Sequence, residues 1–261
     1  MKWRFVGLIL VIFITCISTT LYVKEPIKFI ARVHDWPPYY YQVDGEWHGV
    51  SVDAYKALAD EAGIQITFKE IPWTRALKYL KSRPILLSNL TFTEERAEYI
   101  HFIGPHYFEK MRLVLPIEYK NVRIESLEDL AALAKSSEKK IVYQQDVFYS
   151  VEFNNRIATE KSFARLCKKK AQMLKESIQM IAEDKYLAYI DDITSILYQI
   201  KLHNLSDKVT IHEFPISESA VYIGVSKALP PGMIERLKNA DEQLKKKGVY
   251  KKIQEKWSNL K

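Results

Sequence analysis

The chain has 261 residues, 48% hydrophobic and 27% charged, an ordinary make-up for a globular protein with length enough for one large domain or two modest lobes. Its net charge is +7, about +5 (7 − 2) once Lys2 and Arg4 of residues 1–20 are set aside, and the obvious basic runs, lysines 168–170 and 245–247, lack interleaved aromatics or a nucleic-acid motif, which excludes a nucleic-acid partner. The eight glycines make neither a phosphate loop nor a dinucleotide fingerprint, there is no G-x-S-x-G, and the six histidines lack ligand spacing, so neither a cofactor nor a structural metal is expected.

In chain order, Met1-Lys2-Trp3-Arg4 is basic, Val6–Ile17 is apolar apart from Gly7 and Thr15, and small residues Ser18–Thr20 follow. These are the three parts of a secretory signal peptide over residues 1–20, with an uncleaved anchor as the alternative. F-I-T-C around Cys16 matches a lipoprotein box poorly at Phe13 and Thr15. Beyond it only Cys167 remains, which precludes an internal disulfide and reads as a buried thiol.

Lys28–Val33 is expected to form a first strand, followed by His34-Asp35-Trp36-Pro37-Pro38, where two prolines impose an extended path. Asp44-Gly45 signals a hairpin turn. Val52, Tyr55, Leu58, Ala59 and Ala62 have helical spacing, stopped by Gly63. Strand Ile64–Lys69, helix Trp73–Leu80 and strand Ile85–Leu90 complete a β-α-β-α-β order that implies a parallel α/β sheet. Met111–Pro116 is an apolar strand, and Ser126 caps a helix. Strand Lys140–Gln144 follows, then a helix face of Met173, Leu174, Ser177, Ile178 and Ile181, and strand Tyr186–Ile190 before Asp191-Asp192. Helix Ile193–Leu202, strands Val209–Pro215 and Ala220–Val225, and two helical stretches within Met233–Trp257, broken at Gly248, close the chain. Lysines 245–247 suit the last helical turn before that glycine.

The most informative segment is Asn89–Tyr107. Thr91, Thr93 and Arg96 lie close together just after an apolar strand, and arginine grips carboxylates through paired charge-assisted hydrogen bonds. Taken alone, the segment is equally a solvated turn of Glu94, Glu95 and Arg96. T-F-T-E-E-R…F-I-G-P-H-Y resembles, however, the T-x-T-x-E-R…F-S-x-P-Y signature of periplasmic solute-binding proteins for polar amino acids. Leu244–Trp257 (L-K-K-K-G-V-Y-K-K-I-Q-E-K-W) is similar to that family's closing L-x-x-x-G-x-Y-x-x-I-x-x-K-W.

The resemblance covers about Lys28 to Trp257. It implies an α/β fold of two lobes, each a mostly parallel sheet flanked by helices, joined by two crossing strands near Lys110–Leu115 and His212–Tyr222. Lobe 1 would comprise residues 26–112 and 214–261, and lobe 2 residues 113–213. Ligand would lie in the cleft between them. The family's carboxylate-holding roles carry to Thr91 and Arg96, and its ammonium-holding aspartate to Asp192 in L-A-Y-I-D-D, with Asp191 the adjacent competitor. Trp36 and Trp73 match the family's ligand-stacking aromatics, although a tryptophan at either position also suits the core.

One departure stands out. Gln145-Asp146-Val147 replaces the family's Gly-Thr or Gly-Ser. Either Asp146 points away from the ligand carboxylate, or the ligand is not a simple α-amino acid. Arg75, in the first turn of a helix, is a candidate second cation. The implied protein is a monomeric periplasmic binding protein that delivers a small polar ligand, an amino acid or related carboxylate, to the membrane permease of an ABC importer, and is not an enzyme. The rival readings are a cyclic-acid dehydratase on the same fold, with Asp146 or Asp192 as acid or base, and a sensor domain that signals without transport.

Overall fold

The computed structural model describes residues 28–170 and 177–258. The signal-peptide expectation for residues 1–20, with Cys16, and the expected helix-face residues Met173 and Leu174 lie outside them. The elements alternate as expected through the first half: β1 (Lys28–Val33), β2 (Tyr41–Val43), β3 (Glu46–His48), α1 (Val50–Ala62), β4 (Gln65–Glu70), α2 (Trp73–Tyr79) and β5 (Ile85–Thr91). Then come α3 (Glu94–Ala97), β6 (Ile100–Pro116), α4 (Leu127–Ser136), β7 (Ile141–Gln144), α5 (Val151–Thr159), α6 (Lys161–Leu166), β8 (Cys167–Lys170), α7 (Ser177–Ala182), β9 (Ala188–Asp192), α8 (Ile193–Leu202), β10 (Val209–Ser226), α9 (Pro231–Lys246) and α10 (Val249–Ser258).

Local chemistry accounts for many of these boundaries. Asp44 (φ 51°) and Gly45 (φ 81°) both take the positive φ of a two-residue hairpin turn joining β2 to β3. Gly63 ends α1 in the left-handed conformation, its N–H returning to Ala59 and Asp60 carbonyls. The Ser126 and Ser150 hydroxyls accept the N–H groups of Asp129 and Phe153, capping α4 and α5.

The sheet runs β4-β1-β5-β10-β6-β9-β7-β8. β4, β1 and β5 are mutually parallel, as are β8, β7 and β9, and the long strands β6 and β10 run antiparallel between these sets. The two long strands therefore belong to both lobes. Ile103 and Ile223 pack in the core around β1, α1 and α9, whereas Met111, Leu113 and Ile216 pack in the core around β7, β9 and α4. An Arg112–Glu218 ion pair ties β6 to β10 between those cores.

The structure corrects several expectations. The two strands expected at 209–215 and 220–225 are one strand, β10, whose register with β6 shifts between His212 and Ser217. The Pro215 turn signal is absorbed as that irregularity, because β6 continues to pair on both sides of it. β6 likewise runs through Gly104-Pro105 rather than starting at Met111. Helices α5 and α6 and edge strand β8 were not anticipated. Cys167 begins β8 and is only half-buried.

Gly49 gives a direct stability prediction. It has φ 130°, and a Cβ there would stand 2.2 Å from the Tyr39 carbonyl oxygen and 2.6 Å from that of Pro38. Gly49→Ala should destabilise the protein by more than about 1 kcal/mol and disturb the loop carrying Trp36 and Tyr39. An unchanged urea unfolding midpoint would count against this account.

Candidate ligand-binding site

Between the lobes lies a cavity of about 40 Å³, room for roughly three waters where one needs 10–15 Å³. Lobe 1 contributes Arg32, His34, Trp36, Trp73, Asn89, Thr91 and Arg96. β6 contributes Glu109 and Met111, and lobe 2 contributes Gln144, Val147, Phe148, Tyr149, Ile190 and Asp191. Four sequence-predicted residues, Trp36, Trp73, Thr91 and Arg96, meet here.

Arg96 sits on the single turn of α3, whose N-cap Thr93 accepts the Arg96 N–H. The solvated-turn reading fails for this residue, because its side chain is buried. Its guanidinium donates to the carbonyl of Thr91 (3.0 Å) and across the cleft to the carbonyl of Asp146 (3.2 Å). Among the described residues it has no ion-pair partner. Burial lowers its pKa, opposed by Tyr99, Glu95, Glu109 and Asp146.

Asp146 does not direct its carboxylate at the cavity. With φ 62° it presents its backbone carbonyl to Trp73 Nε1 (2.9 Å) and Arg96, while its exposed carboxylate accepts from Thr74 Oγ1 (2.6 Å). The repulsion expected from an acid in the Gly-Thr position is thereby removed. Trp73 is buried and holds this inter-lobe bond, so it serves packing and lining together. Arg75 is exposed and does not line the cavity. The first helical turn puts neighbouring positions on different faces, and only Trp73 and Ala76 of α2 are buried.

Asp192, expected to hold the ligand ammonium, is fully buried and does not line the cavity. Its carboxylate accepts from Tyr39 Oη (2.5 Å), Tyr107 Oη (3.3 Å), Lys110 N (2.9 Å) and Thr194 N (2.8 Å), the last as N-cap of α8. Adjacent strand residues face opposite sides of the sheet, and it is Asp191 that meets the cavity. Asp191 accepts from Tyr189 Oη (2.5 Å), Ser195 Oγ (3.0 Å), Asp192 N (2.8 Å) and, across the cleft, Trp36 Nε1 (3.3 Å). Burial nonetheless pushes its pKa up to about 6, against the lowering effect of these hydrogen bonds.

Sequence reasoning missed Arg32, His34, Asn89 and Glu109. Glu109 is buried on β6, and its carboxyl has no hydrogen-bond partner among the described residues. Desolvation and the nearby Asp192 and Asp191 carboxylates hold its pKa well above the usual range, with Arg96 acting the other way. A lone acid between Phe108 and Lys110 carries no motif. Only its place on a strand shared by both lobes puts it in the site. The cavity thus sets an unpaired guanidinium on one lobe against buried carboxyl groups at the hinge and on the other, a complement to a molecule with a carboxylate at one end and an ammonium at the other.

The fold recurs in a histidine kinase sensor domain with similarity to periplasmic binding proteins, with a TM-score of 0.73 and 19% identity over 90% of this chain and 96% of that one. An ancestral arginine-binding protein bound to arginine superposes with a TM-score of 0.69 and 25% identity, covering 88% of this chain and 96% of that one. The arginine-binding extracellular protein ArtP of Bacillus subtilis (strain 168) is 24% identical over 226 residues, 85% of this chain and 82% of its own length. Residues 29–260 match the bacterial extracellular solute-binding proteins, family 3, and the chain belongs to that family.

Proposed function

We propose that this extracytoplasmic solute-binding protein captures an α-amino acid between its lobes and delivers it to the permease of an ABC importer, after secretion to the periplasm through a signal peptide over residues 1–20. The observation that carries the ligand reading is the buried Arg96 guanidinium, which faces the cavity with carbonyl contacts but no ion pair among the described residues. Arg96 and Thr91 hold the α-carboxylate, Asp191 assisted by Glu109 holds the ammonium, and Trp36 and Trp73 enclose the apolar part. The lobes divide within β6 and β10, near residues 112 and 213. Admitting the ligand requires the lobes to part about these strands, with Arg96 and Trp36 exchanging inter-lobe contacts for ligand contacts.

The test is a thermal-shift screen of the purified protein against the common amino acids, small carboxylic acids and polyamines. A ligand at about 100 times its Kd adds roughly 2.7 kcal/mol, a rise of about 5–10 °C for lobes of this size. A selective rise with an amino acid supports the reading. Response to a carboxylic acid without an amine, or to no compound, removes it.

Affinity should also depend on pH with a definite sign. Ammonium binding requires ionised Asp191, whose pKa stands at about 6. Affinity should therefore hold above that value and fall by about tenfold per unit below it, because protons compete with the ligand. Titration calorimetry between pH 5 and 7.5 reads this directly, and a flat profile would remove Asp191 from ammonium binding.

A further inference from the structure

Three polar side chains of lobe 1 face the cavity with unused hydrogen-bonding capacity, and the α-amino and α-carboxyl groups of an amino acid do not account for them. Arg32 is buried at 2% exposure on β1. Its Nε donates to the Ile71 carbonyl (2.9 Å), and its guanidinium lies 5.4 Å from the Trp73 ring centroid and 5.8 Å from that of Tyr40. Its terminal nitrogens have no ion pair among the described residues, and their polar neighbour there is the Tyr40 hydroxyl. His34, at 5% exposure, is stacked on Trp36 with ring centroids 6.2 Å apart, and its Nδ1 is buried without a partner. Asn89 takes φ 60°, and its Oδ1 accepts from both Ser51 Oγ (2.7 Å) and Ser88 Oγ (2.8 Å). Those two hydroxyls fix the amide orientation and leave Nδ2 buried as an orphan donor.

A buried polar group left unmatched costs its full desolvation penalty, and a charge costs more. A cluster of such groups lining one cavity is accounted for by a ligand that satisfies them. Desolvation and the neighbouring Arg32 charge hold His34 neutral, so its ring adds a hydrogen-bonding nitrogen without a second cation. Burial lowers the Arg32 pKa, opposed by Tyr40, Tyr55 and Glu70.

Building on the amino-acid reading, we infer that Arg32, His34 and Asn89 form a side-chain subsite for an anionic group, so that the ligand is a small acidic amino acid. Arg96 takes one carboxylate, Arg32 takes the second, and Asn89 Nδ2 and the His34 ring hydrogen-bond its remaining oxygen positions. A cationic side chain would meet the Arg32 charge in a desolvated pocket. This chain would thus differ in cargo from the arginine-binding relatives it resembles.

The test is calorimetric titration of the purified protein with aspartate, glutamate, asparagine, glutamine, alanine and arginine. One acidic amino acid should bind at least about tenfold more tightly than its own amide and than arginine. Arg32→Met should weaken the acidic ligand by about thirtyfold or more and abolish its preference over the amide. Should Arg32→Met fail to fold, Asn89→Asp serves instead. It keeps the side-chain shape and tolerates positive φ, but puts an oxygen where the orphan donor was, so it too should erase the acid preference. Tighter binding of arginine or a neutral amino acid, or an acid preference that survives Arg32→Met or Asn89→Asp, overturns this inference while leaving the amino-acid reading intact. Binding of no amino acid overturns both.

Discussion

Replacing Arg96 by alanine should abolish high-affinity binding while leaving the protein folded. Truncating one partner of a desolvated charge pair costs about 2–5 kcal/mol, or roughly thirty- to several-thousand-fold in Kd. The magnitude belongs at the upper end because Arg96 is buried, so the ligand carboxylate would lose its counter-charge in a poorly solvated cavity. Arg96→Lys should recover little, since an ammonium cannot present the paired donors of a guanidinium. Calorimetry with the identified ligand, beside circular dichroism to verify the fold, reads the effect. Unchanged affinity in Arg96→Ala would take Arg96 out of the site.

Asp191→Asn should cost a similar 2–5 kcal/mol for an amine-bearing ligand and flatten the pH dependence near 6. The two effects separate Asp191 from a merely structural acid. The pKa of about 6 in the folded protein lies above the ordinary 3.8. Folding therefore disfavours the ionised form, and this group's contribution to stability declines as pH rises from about 3.8 to about 6. Above that window the buried charge costs on the order of 3 kcal/mol, and a ligand ammonium offsets part of that cost. Asp191→Asn removes that cost and the Tyr189 and Ser195 hydroxyls can rotate to suit the amide, but the Trp36 indole or the Asp192 N–H loses its acceptor, so the two effects oppose each other and the ligand-free melting temperature should change little. Asp192→Asn makes the informative contrast. It disturbs the acceptor shared by Tyr39, Tyr107 and the start of α8, and should lower the melting temperature. A larger loss of affinity per degree of melting temperature in Asp192→Asn than in Asp191→Asn would return the ammonium role to Asp192.

The chain's own chemistry decided most of the local structure. Asp44-Gly45 prescribed the β2–β3 hairpin, Gly63 the end of α1 and Gly248 the break between α9 and α10, because positive φ at those points favours these residues over bulkier ones. Helical spacing also picked out Val52, Tyr55, Leu58, Ala59 and Ala62, and all five are buried. Where the sequence reading failed, a long-range partner had overridden a local signal. Pro215 read as a strand end, yet β6 and β10 sustain each other past it through extensive mutual pairing. Short amphipathic α5 and α6 carry few apolar residues, and their buried anchors, Phe153 and Phe163, gain their place by packing on each other, with ring centroids 5.7 Å apart.

The site divides along the same line. Trp36, Trp73, Thr91 and Arg96 were legible because a short stretch of sequence or a motif order carries them. Which of two adjacent aspartates meets the cavity was decided by strand pleat, where a shift of one residue changes the face. The carboxylate of Asp146 was turned away by its backbone conformation and by Thr74, a residue distant in sequence. Arg32, Asn89 and Glu109 look like unremarkable strand positions until β1, β5 and β6 are laid side by side and the second lobe closes over them. The sequence by itself determined most of the elements, the motif order that marks the family and the lobed plan, because these rest on turns, periodicity and local motifs. Only the tertiary structure decided which charges face the cavity without a partner, because burial and pairing are properties of contacts between strands far apart in the chain.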